Sequence, residues 1–138
     1  MISIEYKDKL TDEIYEMLDE EFNKYAKKNC VECNYKDFNF VAKDGEKIVG
    51  LITWHSYYDE IHVGDLIILE EYRNQQIGSH LIKSVEEYFK GKEFKNINLT
   101  TYEFQAPEFY EKCGYELEFV RENKANPKLN KYFFIKHF

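Results

Sequence analysis

The sequence predicts a mixed α/β fold, and three features carry the prediction. Alternating apolar and polar runs flank an Asp44-Gly45 pair, the strongest short hairpin signal in the chain. An apolar stretch at residues 61–69 is followed by an apolar stripe at helical spacing and then by a β-rich run, the pattern of a strand, helix, strand unit. Ile, Leu, Val and Phe supply 38 of 138 residues, enough for a packed core in so charged a chain. With no repeat, low-complexity tract or Gly/Pro/Ser-rich linker, residues 1–138 are expected to form one domain. The expected architecture is a mostly antiparallel sheet of about six to seven strands flanked by helices.

Each element follows from its own pattern. Ile2, Ile4 and Tyr6 alternate with Ser3, Glu5 and Lys7, which predicts a half-buried first strand. Thr11 then caps a helix bearing Ile14, Leu18, Phe22 and Tyr25, with acids toward its start and Lys24, Lys27 and Lys28 toward its end, as the helix dipole prefers. Residues 38–42, 47–56 and 61–69 read as three strands of a meander. Ile77, Leu81, Ile82, Val85 and Phe89 define a helix closed by Gly91. Residues 97–100 form the next strand, a short helix carries Phe109 and Tyr110, and residues 115–120 and 129–135 complete the sheet.

Charge and composition exclude several classes of protein. With 19 basic and 26 acidic residues the net charge is −7, which repels the phosphates that dominate nucleic-acid affinity and weakly favours cationic substrates. No apolar run nears the roughly 20 residues that span a bilayer, and Met1 to Tyr6 lacks the basic and apolar regions of a signal peptide, so a soluble cytoplasmic protein is expected. Cys30, Cys33 and Cys113 cannot all pair within the chain, and a single C-x-x-C without a second pair is no zinc signature; reduced structural thiols and no metal are expected.

The run Arg73-Asn74-Gln75-Gln76-Ile77-Gly78-Ser79 lies between an apolar strand and a helix start. There the first helical N–H groups lack intrahelical partners and face outward with the positive end of the dipole, which makes an anion cradle. Gly78 permits close approach of the backbone and Arg73 supplies a charge-assisted hydrogen bond. The run matches neither the dinucleotide glycine fingerprint nor the ATP-binding loop.

Here the sequence resembles the GCN5-related N-acetyltransferase (GNAT) superfamily, whose signature Gln/Arg-x-x-Gly-x-Gly/Ala opens the helix after the central strand. Arg73 and Gly78 match it, and Glu70-Glu71-Tyr72-Arg73 and Ile77-Gly78-Ser79-His80-Leu81 are similar to small single-domain bacterial members. Gln76 stands where the first glycine usually lies, and a left-handed backbone there costs on the order of 1 kcal/mol for a residue with a side chain. A second segment, Gln105-Ala106-Pro107-Glu108-Phe109-Tyr110-Glu111-Lys112-Cys113-Gly114-Tyr115, resembles the family's later motif, with Glu103 in place of a usual Asn.

The resemblance implies a GNAT fold with a parallel strand pair around the cofactor cleft. It also implies direct transfer of an acetyl group from acetyl-CoA to a primary amine, a small cationic amine or a peptide amine, without a metal. Leu66, Ile67 and Ile68 are then the strand that pairs with the pantetheine arm, an N–H near Ile68 faces the thioester oxygen, and residues 73–79 hold the diphosphate. Tyr110 corresponds to the tyrosine near the thioester sulfur, and a phenol of pKa about 10 can protonate a departing thiolate. For the base or amine anchor, Asp65 is expected to be partly desolvated among Gly64, Leu66 and Ile67. His62 is the second candidate, since an imidazole ordinarily titrates near pH 6.5, and Glu60 near the start of the same strand is the third. Trp54 and Tyr57, with His62, are expected to line the acceptor entrance, where aromatic faces attract cations; a core aromatic is the competing reading of that stretch. Tyr132 and Phe134 are expected to close the opposite wall. A class-level alternative is a non-catalytic acyl-CoA-binding or sensing module. The exposed final strands suggest a homodimer.

Overall fold

The computed structural model describes residues 1–138, which form two compact units, Met1–Cys33 and Asn34–Phe138. In the first, α1 spans Asp12–Lys28. Thr11 is its N-cap and accepts from the Ile14 amide, while Asp12 and Glu13 in the first turn and Lys27 and Lys28 in the last oppose the helix dipole. The expected strand at residues 2–6 does not form. Alternation specifies which face a strand would bury, but a strand exists only where a neighbour satisfies its N–H and C=O groups, and no ladder includes this segment.

The second unit carries β1 (Lys36–Asp44), β2 (Lys47–Tyr57), β3 (Glu60–Ile68), α2 (Ile77–Phe89), β4 (Asn96–Tyr102), α3 (Pro107–Lys112), β5 (Glu116–Arg121) and β6 (Lys131–His137). They build a six-stranded sheet of order β1-β2-β3-β4-β6-β5, antiparallel throughout except for the β3–β4 pair. The first hairpin closes with Asp44 opposite Lys47, and Gly45 takes the left-handed φ of 61° that such a tight loop requires.

One face of the sheet is the core. Ile52, Trp54, Ile61, Val63, Ile97, Leu99 and Phe134 meet Leu81, Ile82, Val85 and Phe89 of α2 and Tyr110 of α3. Each such side chain removed from water contributes roughly 1.5–3 kcal/mol before conformational entropy is subtracted. Gly50 lets α2 lie close to the sheet, because a Cβ there would come within 2.8 Å of Ile68 Cδ1 and 3.3 Å of Leu81 Cδ1. Alternation sends Thr53, His55 and Tyr57 of β2 and His62 of β3 to the opposite face. No helix is long and apolar enough to cross a membrane.

Candidate active site

The β3–β4 pair is parallel for only three rungs, Glu60 with Asn96, Ile61 with Ile97 and His62 with Asn98. Both strands continue beyond the last rung, β3 to Ile68 and β4 to Tyr102, without pairing to each other. The sheet therefore opens into a cleft whose β3 side is an unpaired edge. Because Leu69 donates to Val49 C=O at 2.9 Å, alternation turns the N–H and C=O of Ile67 toward β2 and those of Leu66 and Ile68 into the gap. An extended ligand with amide groups is complementary to that edge in the way an added strand is. The Ile67 side chain is exposed, whereas Leu66 and Ile68 pack partly against the core.

The chain leaves β3 through a 3-10 turn at Glu70–Tyr72 that is stapled to the first hairpin. Tyr72 Oη donates to Asp44 at 2.7 Å, and Lys47 bridges to Glu71 at 3.4 Å. Arg73 Nε donates to the Ile68 carbonyl at 3.1 Å, which fixes the guanidinium beside the cleft. Asn74 and Gln76 both have φ of 64°, so the left-handed conformation anticipated at Gln76 is present and is shared by Asn74. Alternation of left-handed residues with Gln75 curls the bend into a concave row of amides. The first helical bond of α2 runs from His80 N to Gln76 C=O, and the N–H groups of Ile77, Gly78 and Ser79 have no partner in the chain. Ser79 Oγ donates to Gln76 C=O at 2.9 Å, so its hydroxyl secures the cap.

Gly78 also has a packing role. Its bare Cα faces α3, where a Cβ would lie 3.3 Å from Phe109 Cζ. The glycine thus packs the start of α2 against the helix that carries Tyr110.

Gln105 shapes the turn into α3, its Oε1 accepting from Tyr102 N at 2.9 Å and from the buried Thr101 hydroxyl at 3.2 Å. Pro107 starts the helix. The Tyr110 ring is buried against Phe109, Tyr115 and Phe134. Its hydroxyl has no hydrogen-bond partner in the protein and is not sealed from solvent. Burial, aided by the neighbouring Cys113, pushes this phenol up to about 12, which keeps it protonated at neutral pH. Glu103 is bound to the last strand, accepting from Tyr132 Oη and donating its own N–H to Asn130 C=O at 2.9 Å. That carboxylate raises the Tyr132 phenol.

The remaining expected residues separate into two groups. Trp54, expected at the acceptor entrance, is 3% exposed and stacks on Phe38 at 4.4 Å between ring centroids; it belongs to the core because α2 covers the face that residues 52, 54 and 56 share. Asp65 is exposed, contrary to the desolvation anticipated for it. A bulge sets Gly64 and Asp65 opposite Thr53, and Thr53 Oγ1 accepts from Asp65 N at 2.8 Å and lies 3.4 Å from its carboxylate. Gly64 is required there, since its Cβ would meet Thr53 Oγ1 at 2.8 Å. Tyr57 and His62 share the face away from α2, and His62 stands at the last rung before the cleft opens. Thr53 and the asparagines beside His62 gave no motif, because Thr53 meets Asp65 and Asn96 and Asn98 meet Glu60 and His62 across strands distant in sequence.

A splayed sheet, an amide-lined bend before a helix and a tyrosine on the helix packed against that bend are the geometry of an acetyltransferase-type fold. A model of the Acetyltransferase (GNAT) family matches residues 8–115, and the chain belongs to that family. Among solved structures it is similar to an acetyltransferase from Bacillus cereus ATCC 14579, with 28% identity, a TM-score of 0.78 and coverage of 97% of this chain and 98% of that one. An aminoglycoside 6'-N-acetyltransferase complexed with coenzyme A shares the fold at 18% identity, with a TM-score of 0.63 and coverage of 99% and 97%. A GNAT family acetyltransferase from Elizabethkingia anophelis with acetyl-CoA bound does so at 16% identity, with a TM-score of 0.64 and coverage of 92% and 85%. No curated protein sequence matches.

Proposed function

We propose that this protein transfers the acetyl group of acetyl-CoA to a primary amine by direct attack on the thioester. The observation that carries the reading is the β3–β4 opening, which lies between the row of free amides at residues 77–79 and the unpartnered hydroxyl of Tyr110. The residues present suit the ligand. Arg73 and the amides of Ile77, Gly78 and Ser79 would hold a diphosphate, with Asn74, Gln75 and Gln76 shaping the bend. Leu66 and Ile68 would pair with the amides of the pantetheine arm, and an N–H on this edge, near Ile68, would stabilise an oxyanion. Acetyl-CoA supplies the electrophilic carbonyl. Tyr110 donates its proton to the leaving sulfur, and the exposed carboxylate of Asp65 attracts a cationic acceptor in keeping with the net charge of −7.

Calorimetric titration with acetyl-CoA, run beside thiol release over spermidine, lysine, kanamycin and a peptide with a free N-terminus, tests the proposal. Binding together with amine-dependent thiol release is the expected result. Binding without release for any amine would favour a non-catalytic acyl-CoA-binding module, and absence of binding would overturn both.

A further inference from the structure

The three parallel rungs that precede the cleft carry a chain of side-chain hydrogen bonds. Parallel register sets Glu60 beside Asn96 and His62 beside Asn98, on one sheet face two residues apart. Asn96 Nδ2 donates to Glu60 Oε1 at 3.1 Å, Asn98 Nδ2 donates to Asn96 Oδ1 at 2.9 Å, and His62 Nδ1 lies 2.7 Å from Asn98 Oδ1. The direction of this chain follows from its end. An ionised carboxylate only accepts, so Asn96 must present its NH2 to Glu60 and its oxygen to Asn98. Asn98 must then offer its own oxygen to His62, and His62 Nδ1 must be the donor. Nδ1 carries the proton, and Nε2, which has no partner in the chain, carries the lone pair.

We propose that His62 is the proton acceptor for the amine, held in the Nδ1–H tautomer by the relay Glu60–Asn96–Asn98; this inference rests on the acetyl-transfer reading given above. When Nε2 takes a proton, every dipole in the relay points its negative end toward the new imidazolium and the chain ends on a full negative charge, so the protonated ring is stabilised. The balance is simple. The ammonium substrate loses one proton to become the nucleophile; its nitrogen forms the C–N bond as the C–S bond breaks; Nε2 takes the second amine proton; Tyr110 gives one to the thiolate. Solvent reprotonates Tyr110 and relieves His62, leaving amide, free thiol and one released proton.

The surroundings agree with this role. From β2, His55 lies 5.3 Å from the His62 ring, and burial together with the charge of His62 holds it below the usual histidine range, against the pull of Asp37 on β1. His55 therefore stays neutral beside an imidazole that must cycle. From β4 the neutral Asn98 meets His62, with the neutral Asn96 behind it, and on β3 Glu60 ends the relay while Asp65 is held on Thr53.

Two measurements test the inference. Long-range proton–nitrogen correlation spectra of the free protein near pH 8 report the His62 tautomer without any substrate. The expected result is protonated Nδ1, shifting to a mixture in Glu60→Gln, whose surface amide lets the relay reverse. Protonated Nε2, or no response to Glu60→Gln, would overturn the relay. The pH dependence of kcat/KM, taken with whichever amine of the panel turns over, reads the chemistry. His62→Gln is expected to lose about 10²–10⁴-fold in kcat, together with the acidic limb of the profile, at unchanged acetyl-CoA affinity. Glu60→Gln is expected to lose about tenfold in kcat with little change in KM. An acidic limb that survives in His62→Gln would overturn the base role while leaving the acetyl-transfer reading intact. A panel in which no amine releases thiol would overturn that reading and the base role together, whatever the tautomer.

Discussion

The bare α-carbon of Gly78 faces the ring of Phe109, where a β-carbon would approach Cζ to 3.3 Å. Through this contact the helix that presents free amides and the helix that presents Tyr110 hold each other in register. A β-branched side chain at 78 would force them apart. Gly78→Val is expected to destabilise the fold by about 1–3 kcal/mol and to weaken acetyl-CoA binding. Phe109→Leu should return part of both losses, with a coupling of at least about 0.5 kcal/mol in a double-mutant cycle read by urea midpoints and calorimetry. Strict additivity would mean that the ring is not what the glycine accommodates.

Gln76 occupies a left-handed backbone at φ 64° without a side-chain bond to reward it. The strain costs roughly 1–2 kcal/mol, of which a glycine's greater freedom in the unfolded chain cancels about half. Gln76→Gly should therefore stabilise the protein by up to about 1 kcal/mol and tighten acetyl-CoA binding slightly. Thermal unfolding with and without acetyl-CoA checks both signs, and a lower midpoint would show that the Gln76 side chain contributes a contact of its own.

Tyr110→Phe removes a hydroxyl that makes no hydrogen bond within the chain. Stability at neutral pH should barely move, while kcat at saturating substrates falls at least about 10²-fold. The ionisation of Tyr110 adds a pH signature. Its folded value is raised to about 12 from the ordinary 10, chiefly by burial, so its contribution to stability is complete below pH 10 and is lost as pH rises toward 12. Urea midpoints should fall less steeply over that interval in the variant than in the parent protein.

Trp54 packs among Phe38, Phe40, Tyr88 and Phe89, and its indole N–H is sealed without a partner. In Trp54→Phe the lost ring contacts and the removal of an unsatisfied donor oppose each other, so stability should change by less than about 1 kcal/mol. KM for the amine should not change. A raised amine KM at unaltered stability would return Trp54 to the acceptor site.

Much of this architecture was legible in local pattern. Asp44-Gly45 marked the first hairpin, the apolar stripe from Ile77 to Phe89 marked α2 within a residue or so, and the spacing of Arg73, Gly78 and Tyr110 marked the family. Each of these signals is complete within a short stretch of chain, where side-chain period and turn chemistry act directly on the backbone. Residues 2–6 show how far such reasoning reaches, since their alternation is as regular as that of β2 and yet no strand forms.

What the amino-acid order determined by itself is therefore the elements, their sequence and the motif that places the chain in its family. Tertiary structure alone decided which face of β2 is covered, and so moved Trp54 into the core; where β3 and β4 part, and so made a cleft; and which side chains 36 residues apart meet, and so joined Glu60 to Asn96 and His62 to Asn98. Strand pairing is a contact between distant segments, selected by the packing of the whole sheet against α2, and no local period encodes it.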